Sequence, residues 1–415
     1  MGKKGNLVVG QSGGPTAVIN NSLVGVIHEA MRHSEIGEIY GMLHGISGVL
    51  NEELVDLRQE SAETLERLRH TPGSALGTVR YKVRSPDYDR LLEVLMAYDV
   101  RYFLYIGGND SMDTAHKMHL AAQAKGYELS AIGVPKTVDN DLAYTDHCPG
   151  YGSAARFVAT AIRATGFDTE AMGASSPVKL MEVMGRNAGW LTAAAALAKV
   201  EPEDPPQLLY VPERGVSLEQ VVADVRYWYE KLGYCVLAVS EGMRNERGED
   251  IGTGFGKVEL DAFGHARKGG VVETLEEAIR SGLGLRVRHD KPGYLQRSCA
   301  SLASPVDREE AYLVGQAAVR EAISGVSDRM ITLVREPGPE YAVTTGLAPL
   351  AKVANAEHLL PRAYTNEAGN GVTEEFLDYA RPLIGEPLKP HARLAKYPVP
   401  QRIRADEGLA EPGTS

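Results

Sequence analysis

Short apolar runs that each end in a polar, glycine-containing loop recur along this 415-residue chain and constrain its fold most strongly. "NLVV" leads into "GQSGGPT", "RYFLYI" into "GGNDS", and "LSAIGV" into "PKTVDND". Segments with apolar residues at helical spacing follow these loops. Strands that alternate with helices are typical of a parallel sheet covered on both faces. We therefore predict an α/β fold in which these loops lie together, because ligands of such sheets bind at the carboxyl ends of the strands.

The same alternation continues in the middle of the chain. "VKLMEVM" precedes "GRNAG", "QLLYV" precedes "PERG", and "YCVLAVS" precedes "EGMRNERGE". The pattern breaks at "HCPGYGS" and again near "GYLQR". We predict two doubly wound, parallel-sheet (Rossmann-like) domains with the active site in the cleft between them. The first comprises residues 1–150 plus about 295–345 and the second residues 151–294, while residues 346–415 form a C-terminal extension with a disordered end, "ADEGLAEPGTS".

Composition excludes several classes of protein. Hydrophobic residues make up 43% and charged residues 24% of the chain, and no segment approaches the ~18 consecutive apolar residues of a membrane helix. The first residues lack a secretory pattern, and Cys148, Cys235 and Cys299 are too dispersed for a disulfide framework or a metal motif, which predicts a cytoplasmic protein. The net charge of −11, with no basic tail, predicts neither a nucleic-acid nor a membrane partner. An anionic substrate therefore requires a local cluster of arginine and lysine.

The first loop, "GQSGGPTAVIN", has the character of an anion site. Gly13 and Gly14 precede a predicted helix whose first turn would hold Pro15 and Thr16. Backbone N–H groups at a helix start bind anions, and glycine lets a phosphate approach them. An ordinary strand-to-helix turn explains this loop equally well. Because it is neither GxGxxG nor GxxxxGK[ST], a dinucleotide-binding oxidoreductase is disfavoured.

The loop "PKTVDNDLAYTD" is more informative about chemistry. Asp139 and Asp141 alternate beside Lys136 and Thr137. One carboxylate could accept a proton while the other holds a metal, and the ammonium could balance phosphate charge. The alternative is a turn or helix cap, which Asp-Asn-Asp also favours. That alternative leaves Lys136 unexplained.

Four arginines in the remaining loops meet the requirement for local positive charge. Arginine forks match phosphate oxygens at two points, although any single one of these is more readily explained as a surface ion pair. They are Arg80, Arg186, Arg288 and Arg297. Glu241, after "CVLAVS", is a residue type suited to sugar hydroxyls, or to ordinary helix capping.

Six loops in a fixed order carry a family resemblance. "GQSGGPT", "GGNDS", "PKTVDND", "MGRNAGW", "SEG" and "GYLQR", within residues 6–335, resemble the phosphofructokinase A family and, within it, the pyrophosphate-dependent branch. The resemblance implies reversible phosphoryl transfer from pyrophosphate to O1 of fructose 6-phosphate, which gives fructose 1,6-bisphosphate and phosphate in glycolysis or gluconeogenesis. It also implies Mg²⁺ as cofactor and a homodimer or homotetramer with the sugar site near a subunit interface.

The resemblance further implies roles for individual residues. Asp139 would take the hydroxyl proton, Asp141 would orient the base or the metal, and Gly14 and Arg80 would lie on the pyrophosphate side with Lys136. A larger set would bind the sugar phosphate, with Arg288 supplied across a subunit interface: Thr137, Met184, Gly185, Arg186, Glu241, Arg288, Tyr294 and Arg297. A further interface arginine of the ATP enzymes corresponds here to Pro177, for which Lys179 is a candidate substitute.

Two charged positions predict the phosphoryl donor. Asp110 and Lys136 occupy places where the ATP-using members of the family carry glycine. A carboxylate at 110 would repel the α-phosphate of a nucleotide, and two like charges about 4 Å apart cost ~4 kcal/mol at an effective dielectric constant near 20. Lys136 would neutralise the departing phosphate where charge develops. This pair favours pyrophosphate over ATP.

The candidate metal ligands are Asn109 and Asp110. Most family members carry Asp at the position of Asn109, and an amide oxygen coordinates Mg²⁺ without contributing charge. We therefore expect weaker metal affinity. An ATP-dependent 6-phosphofructokinase and a non-catalytic sugar-phosphate sensor remain alternatives, and sedoheptulose 7-phosphate remains a candidate second acceptor.

Overall fold

The computed structural model describes residues 4–254, 270–354, 356–400 and 402. The described chain is α/β, which confirms the predicted fold class. Its strands are β1 (Gly5–Gln11), β2 (Ile36–Met42), β3 (Leu54–Asp56), β4 (Val100–Gly107), β5 (Ser130–Pro135), β6 (Val178–Val183), β7 (Leu208–Tyr210), β8 (Cys235–Ser240), β9 (Val287–Asp290), β10 (Arg329–Arg335) and β11 (Val343–Pro349).

The α-helices between and after these strands range from one turn to more than five. They are α1 (Ile19–Ala30), α2 (Ile46–Leu50), α3 (Ala62–Leu68), α4 (Ser85–Ala97), α5 (Asn109–Ala124), α6 (Tyr151–Ala171), α7 (Trp190–Ala194), α8 (Leu218–Leu232), α9 (Val271–Leu283), α10 (Leu295–Ser298), α11 (Pro305–Ile323), α12 (Leu350–Val353) and α13 (Glu374–Ala380).

The strands form two sheets. The first has the order β11-β10-β5-β4-β1-β2-β3 and the second the order β7-β8-β6-β9. All pairs of the second sheet are parallel, as predicted. In the first sheet the interior pairs are parallel, but the edge strands β3 and β11 run antiparallel to their neighbours. This difference has a simple cause at β11, because the short connection from β10 suits an antiparallel neighbour whereas a parallel one needs a long crossover.

The first sheet is covered by helices on both faces, since alternate residues of one strand pack into different clusters. Leu104 of β4 lies in a cluster with residues of α1 and α11, whereas Phe103 lies in one with residues of α4 and α5. Helices α1 and α11 touch at their backbones. A β-carbon at Gly25 would collide with the carbonyl oxygen of Tyr312, so only glycine permits this approach.

The chain beyond β11 packs against helices α6 and α7. Phe376 and Leu383 are buried in one apolar cluster with Tyr151 and Trp190. Strands of the first sheet lie within residues 5–135 and 329–349, and those of the second within 178–290. The division into domains stays a prediction, and the predicted disordered end, residues 405–415, lies outside the described residues. In the described part of the chain, no helix is long and apolar enough to cross a membrane.

Candidate active site

Loops that follow three neighbouring parallel strands meet at Lys136. Its backbone N–H donates to the carbonyl oxygen of Gly107, at the end of β4, over 3.1 Å. Its ammonium Nζ donates to the carbonyl oxygen of Gly14, in the loop after β1, over 2.9 Å. Lys136 itself follows β5 directly, and the residue is only 4% exposed. One buried lysine therefore ties together the carboxyl edge of the first sheet.

The loop after β1 is longer than the sequence suggested. Helix α1 begins at Ile19, so the prediction that Pro15 and Thr16 form its first turn is wrong. The chain stays irregular because Gly13 adopts a left-handed conformation, with φ of +73°. A β-carbon at Gly14 would collide with the guanidinium of Arg297. The two glycines thus leave room for charged side chains beside the loop.

Asn109 and Asp110 open helix α5 and differ in their surroundings. Gly108 is the N-cap, and Asp110 is an exposed acidic residue in the first turn, a position that the helix dipole favours. The Oδ1 atom of Asn109 is buried and has no hydrogen-bond partner among the described residues. An acceptor oxygen in this state is costly unless a donor or a cation satisfies it. Asn109 therefore has the stronger structural claim as a cation ligand.

The loop after β5 brings the two predicted catalytic carboxylates together. The N–H of Asp139 donates to the Thr137 hydroxyl over 3.1 Å, and the same hydroxyl is hydrogen-bonded to the side chain of Asp141. The Oδ1 atom of Asp139 is buried without a partner in the described structure. Burial, followed by the charges of Asp141 and Glu241, raises the pKa of Asp139 to about 7. A carboxylate with this pKa can take up a proton at neutral pH.

The pKa of Lys136 is shifted in the opposite direction to that of Asp139. Burial and then the positive charge of Arg297 lower its pKa to about 8, against the opposing attraction of Asp141 and Asp139. The desolvation of the ammonium outweighs its two carboxylate neighbours. A bound anion would reverse this balance, because opposite charge nearby favours the charged form.

Loops of the second sheet approach the same carboxylates. Arg186 and Glu241 both act on the ionisation of Asp139, which places their charges near it. Glu241 follows β8, and its N–H donates to the carbonyl oxygen of Val183 over 2.9 Å. Gly185, with φ of +117°, accepts from the Ser240 hydroxyl over 2.7 Å. These contacts fix the "MGR" and "SEG" loops against each other.

Tyr294 and Arg297 of the "GYLQR" loop are in contact with each other but differ in exposure. The guanidinium of Arg297 lies 4.1 Å from the ring centre of Tyr294, and burial followed by the charge of Arg80 lowers the pKa of Arg297. Together with its contact to Gly14, this places Arg297 on the predicted pyrophosphate side. The predicted sugar-phosphate role of Arg297 stays a prediction. Tyr294 is 61% exposed.

Arg288 and Met184, two other predicted residues of the sugar site, differ in their contacts. Arg288 is exposed on β9, and no contact recorded among the described residues joins it to the catalytic loop. Neighbouring Lys179 is paired with Asp290 over 3.2 Å. The N–H of Met184 donates to the side chain of Gln296 over 3.0 Å, which links the two predicted sugar-binding loops.

The sequence interpretation missed residues from the end of the chain. The N–H of His358 donates to the carbonyl oxygen of Asp141 over 2.8 Å, and the Tyr379 hydroxyl is hydrogen-bonded to Asn140. Gln296 was missed as well, although it stands inside the quoted motif "GYLQR". No local pattern marks His358 or Tyr379, because they reach the loop only through folding.

A cavity of about 880 Å³ lies elsewhere in the protein. It is lined by Trp228 and other residues, and none of the predicted site residues lines it.

Comparison with known proteins decides the family. A family model described as "Phosphofructokinase" matches residues 6–322, about three quarters of the chain. The chain belongs to the phosphofructokinase family. All the predicted site residues of this phosphofructokinase lie inside the matched range, whereas His358 and Tyr379 lie beyond it.

Individual relatives are similar over almost the whole length of this phosphofructokinase. A protein of Xanthomonas campestris pv. campestris (strain B100), named pyrophosphate--fructose 6-phosphate 1-phosphotransferase, is 46% identical over 92% of this chain and 91% of its own. One of the same name from Halomonas elongata is 44% identical over 96% and 98%. A crystal structure titled pyrophosphate-dependent phosphofructokinase, from Marinobacter aquaeolei, is 39% identical, covers 96% of this chain and 98% of its own, and has a TM-score of 0.84.

Proposed function

We propose that this phosphofructokinase transfers a phosphoryl group reversibly from pyrophosphate to O1 of fructose 6-phosphate. The products are fructose 1,6-bisphosphate and phosphate, and the reaction would serve glycolysis or gluconeogenesis in the cytoplasm. Relatives that match over nearly the full chain are named for this reaction. The observation that carries the proposal is the buried ammonium of Lys136 beside the loop after β1 and the carboxylates of the loop after β5.

Asp139 is proposed as the general base. Its raised pKa of about 7 matches a base that works at neutral pH, and its Oδ1 atom has no hydrogen-bond partner among the described residues. The O1 hydroxyl of the sugar would donate its proton to this oxygen as it attacks the phosphorus. Asp141 would orient the loop, since its side chain is hydrogen-bonded to Thr137.

Lys136, Gly14 and Arg80 are proposed to hold pyrophosphate. The Lys136 ammonium is fixed on the carbonyl oxygen of Gly14, within the loop whose N–H groups and glycines suit an anion. As the bond to the transferred phosphorus breaks, negative charge grows on the departing phosphate, and a preorganised ammonium stabilises that charge. The position of Arg297 against Gly14 adds a second cation on this side.

The sugar phosphate is proposed to bind between the two sheets. Glu241 and Arg186 act on Asp139 electrostatically, which supports a place beside the reacting hydroxyl. Met184, Gly185, Thr137 and Tyr294 would complete the set within the chain. Arg297, which stacks on Tyr294 and lies against Gly14, would be shared between this set and the pyrophosphate side. Arg288 is exposed on β9, which fits a residue that serves a neighbouring subunit, so we propose a homodimer or homotetramer.

The domain division is proposed along with this arrangement. Residues 1–150 and about 295–345 would bind the donor, and residues 151–294 would bind the sugar phosphate. The C-terminal extension, residues 346–415, packs onto both where it is described, because its residues reach Asp141 and the cluster around Trp190.

Mg²⁺ is the proposed cofactor, and the residues present fit a weakly held ion. Asn109 Oδ1 is a buried acceptor without a partner, whereas Asp110 is exposed, so Asn109 is the better candidate ligand. No group of three His, Cys, Asp or Glu residues suited to a metal occurs among the residues that the structure describes. Mg²⁺ commonly takes one or two protein ligands and completes its shell with phosphate oxygens and water. When bound, it would neutralise charge on pyrophosphate.

Donor choice is proposed to rest on Asp110 and Lys136. Because Asp110 is exposed, water weakens its repulsion of a nucleotide phosphate, so the discrimination is smaller than the ~4 kcal/mol of a shielded pair. Purified protein should be assayed for initial rates with pyrophosphate and with ATP, in both directions of the reaction. We expect turnover with pyrophosphate in both directions and little with ATP. Equal turnover with ATP would refute the donor assignment.

A further inference from the structure

Asn140 stands between the two catalytic carboxylates in an unusual backbone conformation. It is fully buried and has φ of +57°, in the left-handed region that few residues other than glycine adopt. Its neighbours Asp139 and Asp141 therefore depend on it, because the direction in which each leaves the loop follows from this turn. Asparagine adopts this conformation more readily than most residues, but it is still less favourable than the right-handed one, so contacts of its side chain help to hold it.

The side-chain amide of Asn140 is engaged at both ends. Its Oδ1 atom accepts from the N–H of Cys148 over 2.9 Å, and its Nδ2 atom donates to the hydroxyl oxygen of Tyr379 over 2.9 Å. The Tyr379 hydroxyl in turn donates to the carbonyl oxygen of Asp146 over 2.9 Å. One hydroxyl thus serves as acceptor and donor at once, and joins the start of the loop to its end.

Tyr379 is itself held rigidly on helix α13. Its ring lies 5.3 Å from that of Trp190 and 5.6 Å from that of Tyr364, centre to centre. The guanidinium of Arg335 lies 4.8 Å from the ring centre, and its Nη2 donates both to Asp146 and to the Tyr379 carbonyl oxygen over 3.0 Å. The hydroxyl is therefore presented to Asn140 from a fixed position.

A second contact from the same part of the chain supports this arrangement. The N–H of His358 donates to the carbonyl oxygen of Asp141 over 2.8 Å, and the His358 carbonyl oxygen accepts from the indole of Trp190 over 2.8 Å. Two consecutive residues of the loop, Asn140 and Asp141, are therefore hydrogen-bonded to residues beyond position 322, where the family match ends.

We propose that Tyr379 is a positioning residue for phosphoryl transfer, whose hydroxyl fixes the Asn140 side chain and so holds Asp139 and Asp141 in reacting geometry. This inference rests on the proposed function for its kinetic consequence. Its structural consequence, an ordered loop from 137 to 148, does not depend on which reaction the protein catalyses.

The variant Tyr379→Phe removes the hydroxyl and keeps the ring. Tyr364→Phe is the matched control, because Tyr364 packs in the same aromatic group but its hydroxyl makes no hydrogen bond recorded among the described residues. Misplacement of catalytic groups by an ångström lowers rates by up to ~100-fold. We expect Tyr379→Phe to lower kcat about tenfold with KM for fructose 6-phosphate within about twofold, and Tyr364→Phe to change neither.

A double-mutant cycle tests the route through Asn140. Asn140→Gly removes the amide and tolerates the left-handed backbone. If Tyr379 acts through Asn140, adding Tyr379→Phe to Asn140→Gly should cost less than about twofold in kcat, because interacting positions are not additive. A full tenfold further loss would overturn the proposal, as would a Tyr379→Phe enzyme that keeps more than half of the wild-type kcat.

Hydrogen–deuterium exchange provides a measurement independent of activity. The amide of Cys148 is bonded to Asn140 Oδ1, so peptides covering 137–148 should exchange faster in Tyr379→Phe than in Tyr364→Phe or wild type. Unchanged exchange there would overturn the proposal even if the wild-type protein showed no turnover with pyrophosphate. That absence of turnover would by itself refute only the proposed reaction.

Discussion

Replacing Asp139 with asparagine should stabilise this phosphofructokinase at alkaline pH while strongly lowering its activity. The folded protein holds a proton on Asp139 up to a pKa of about 7, compared with an ordinary value of 3.8. Between these pH values the folded state binds more protons than the unfolded state. The contribution of Asp139 to the free energy of unfolding of the wild type is therefore highest at low pH, and it falls as pH rises towards the folded-state pKa of about 7.

The size of this effect follows from the same difference in pKa. It corresponds to at most about 4 kcal/mol, at 1.36 kcal/mol per pKa unit. The gain in the variant should be smaller, because Asp139 is only partly buried and the new amide brings two N–H donors that must find partners. We expect about 1–3 kcal/mol at pH 8, which for a chain of this length is roughly 1–4 °C in melting temperature.

Thermal unfolding of wild type and Asp139→Asn at pH 5 and pH 8 measures this expectation. The gain in melting temperature of the variant should be larger at pH 8 than at pH 5, and its kcat should fall ~10²- to 10⁴-fold, as for loss of a general base. Asp89→Asn is the control, because Asp89 has a side chain that is 74% exposed and a salt bridge to Lys125. An Asp139→Asn protein that melts no higher than wild type at pH 8 would show that the carboxylate is not unfavourably buried.

Three further predictions concern pH, donor and metal. The plot of kcat/KM against pH for the wild type should be bell-shaped. It should rise through about pH 7 as Asp139 loses its proton and fall above about pH 8 as Lys136 loses its proton. A flat profile from pH 6 to 9 would contradict these roles. Asp110→Gly should raise the ratio of ATP to pyrophosphate turnover about tenfold or more, because it removes a charge that repels the nucleotide. An unchanged ratio would show that Asp110 does not exclude ATP. Asn109→Asp should lower the Mg²⁺ concentration that gives half-maximal turnover several-fold, because a carboxylate adds charge to the site; unchanged Mg²⁺ dependence would exclude residue 109 as a ligand.

The sequence predicted those parts of the fold that local patterns control. Strand β8 and the part of β4 after Arg101 are continuous apolar runs, and the polar loops after them lie at the carboxyl edges of their sheets. The antiparallel direction of β11 was not predicted, because a strand's apolar pattern does not reveal its neighbour's direction. The start of α1 was also misplaced, since Pro15 suits a first helical turn but Gly13 turns the chain away from it.

The candidate site was predicted where loops carry charged residues in a recognised order. Lys136 and Asp139 were singled out this way, and the structure adds their burial and the direction of each pKa change. The contacts of Tyr379 and His358 could not be predicted, because more than two hundred residues separate each from the loop that it holds. Their hydrogen-bond partners on the loop are a side chain and a backbone carbonyl, and neither kind of contact leaves a pattern in one sequence.

The loop after β5 combines three unfavourable features within five residues. Lys136 is a buried ammonium, Asp139 is a carboxylate whose ionisation is opposed by burial, and Asn140 has a left-handed backbone. Each of these costs stability, and each is also what the proposed chemistry needs: a cation for the departing phosphate, a base near neutral pH, and a turn that points both carboxylates inward. Such a loop persists only where surrounding contacts hold it in place. Tyr379 and His358 are two such contacts, so the chain beyond the family match is expected to support catalysis by opposing the relaxation of this loop.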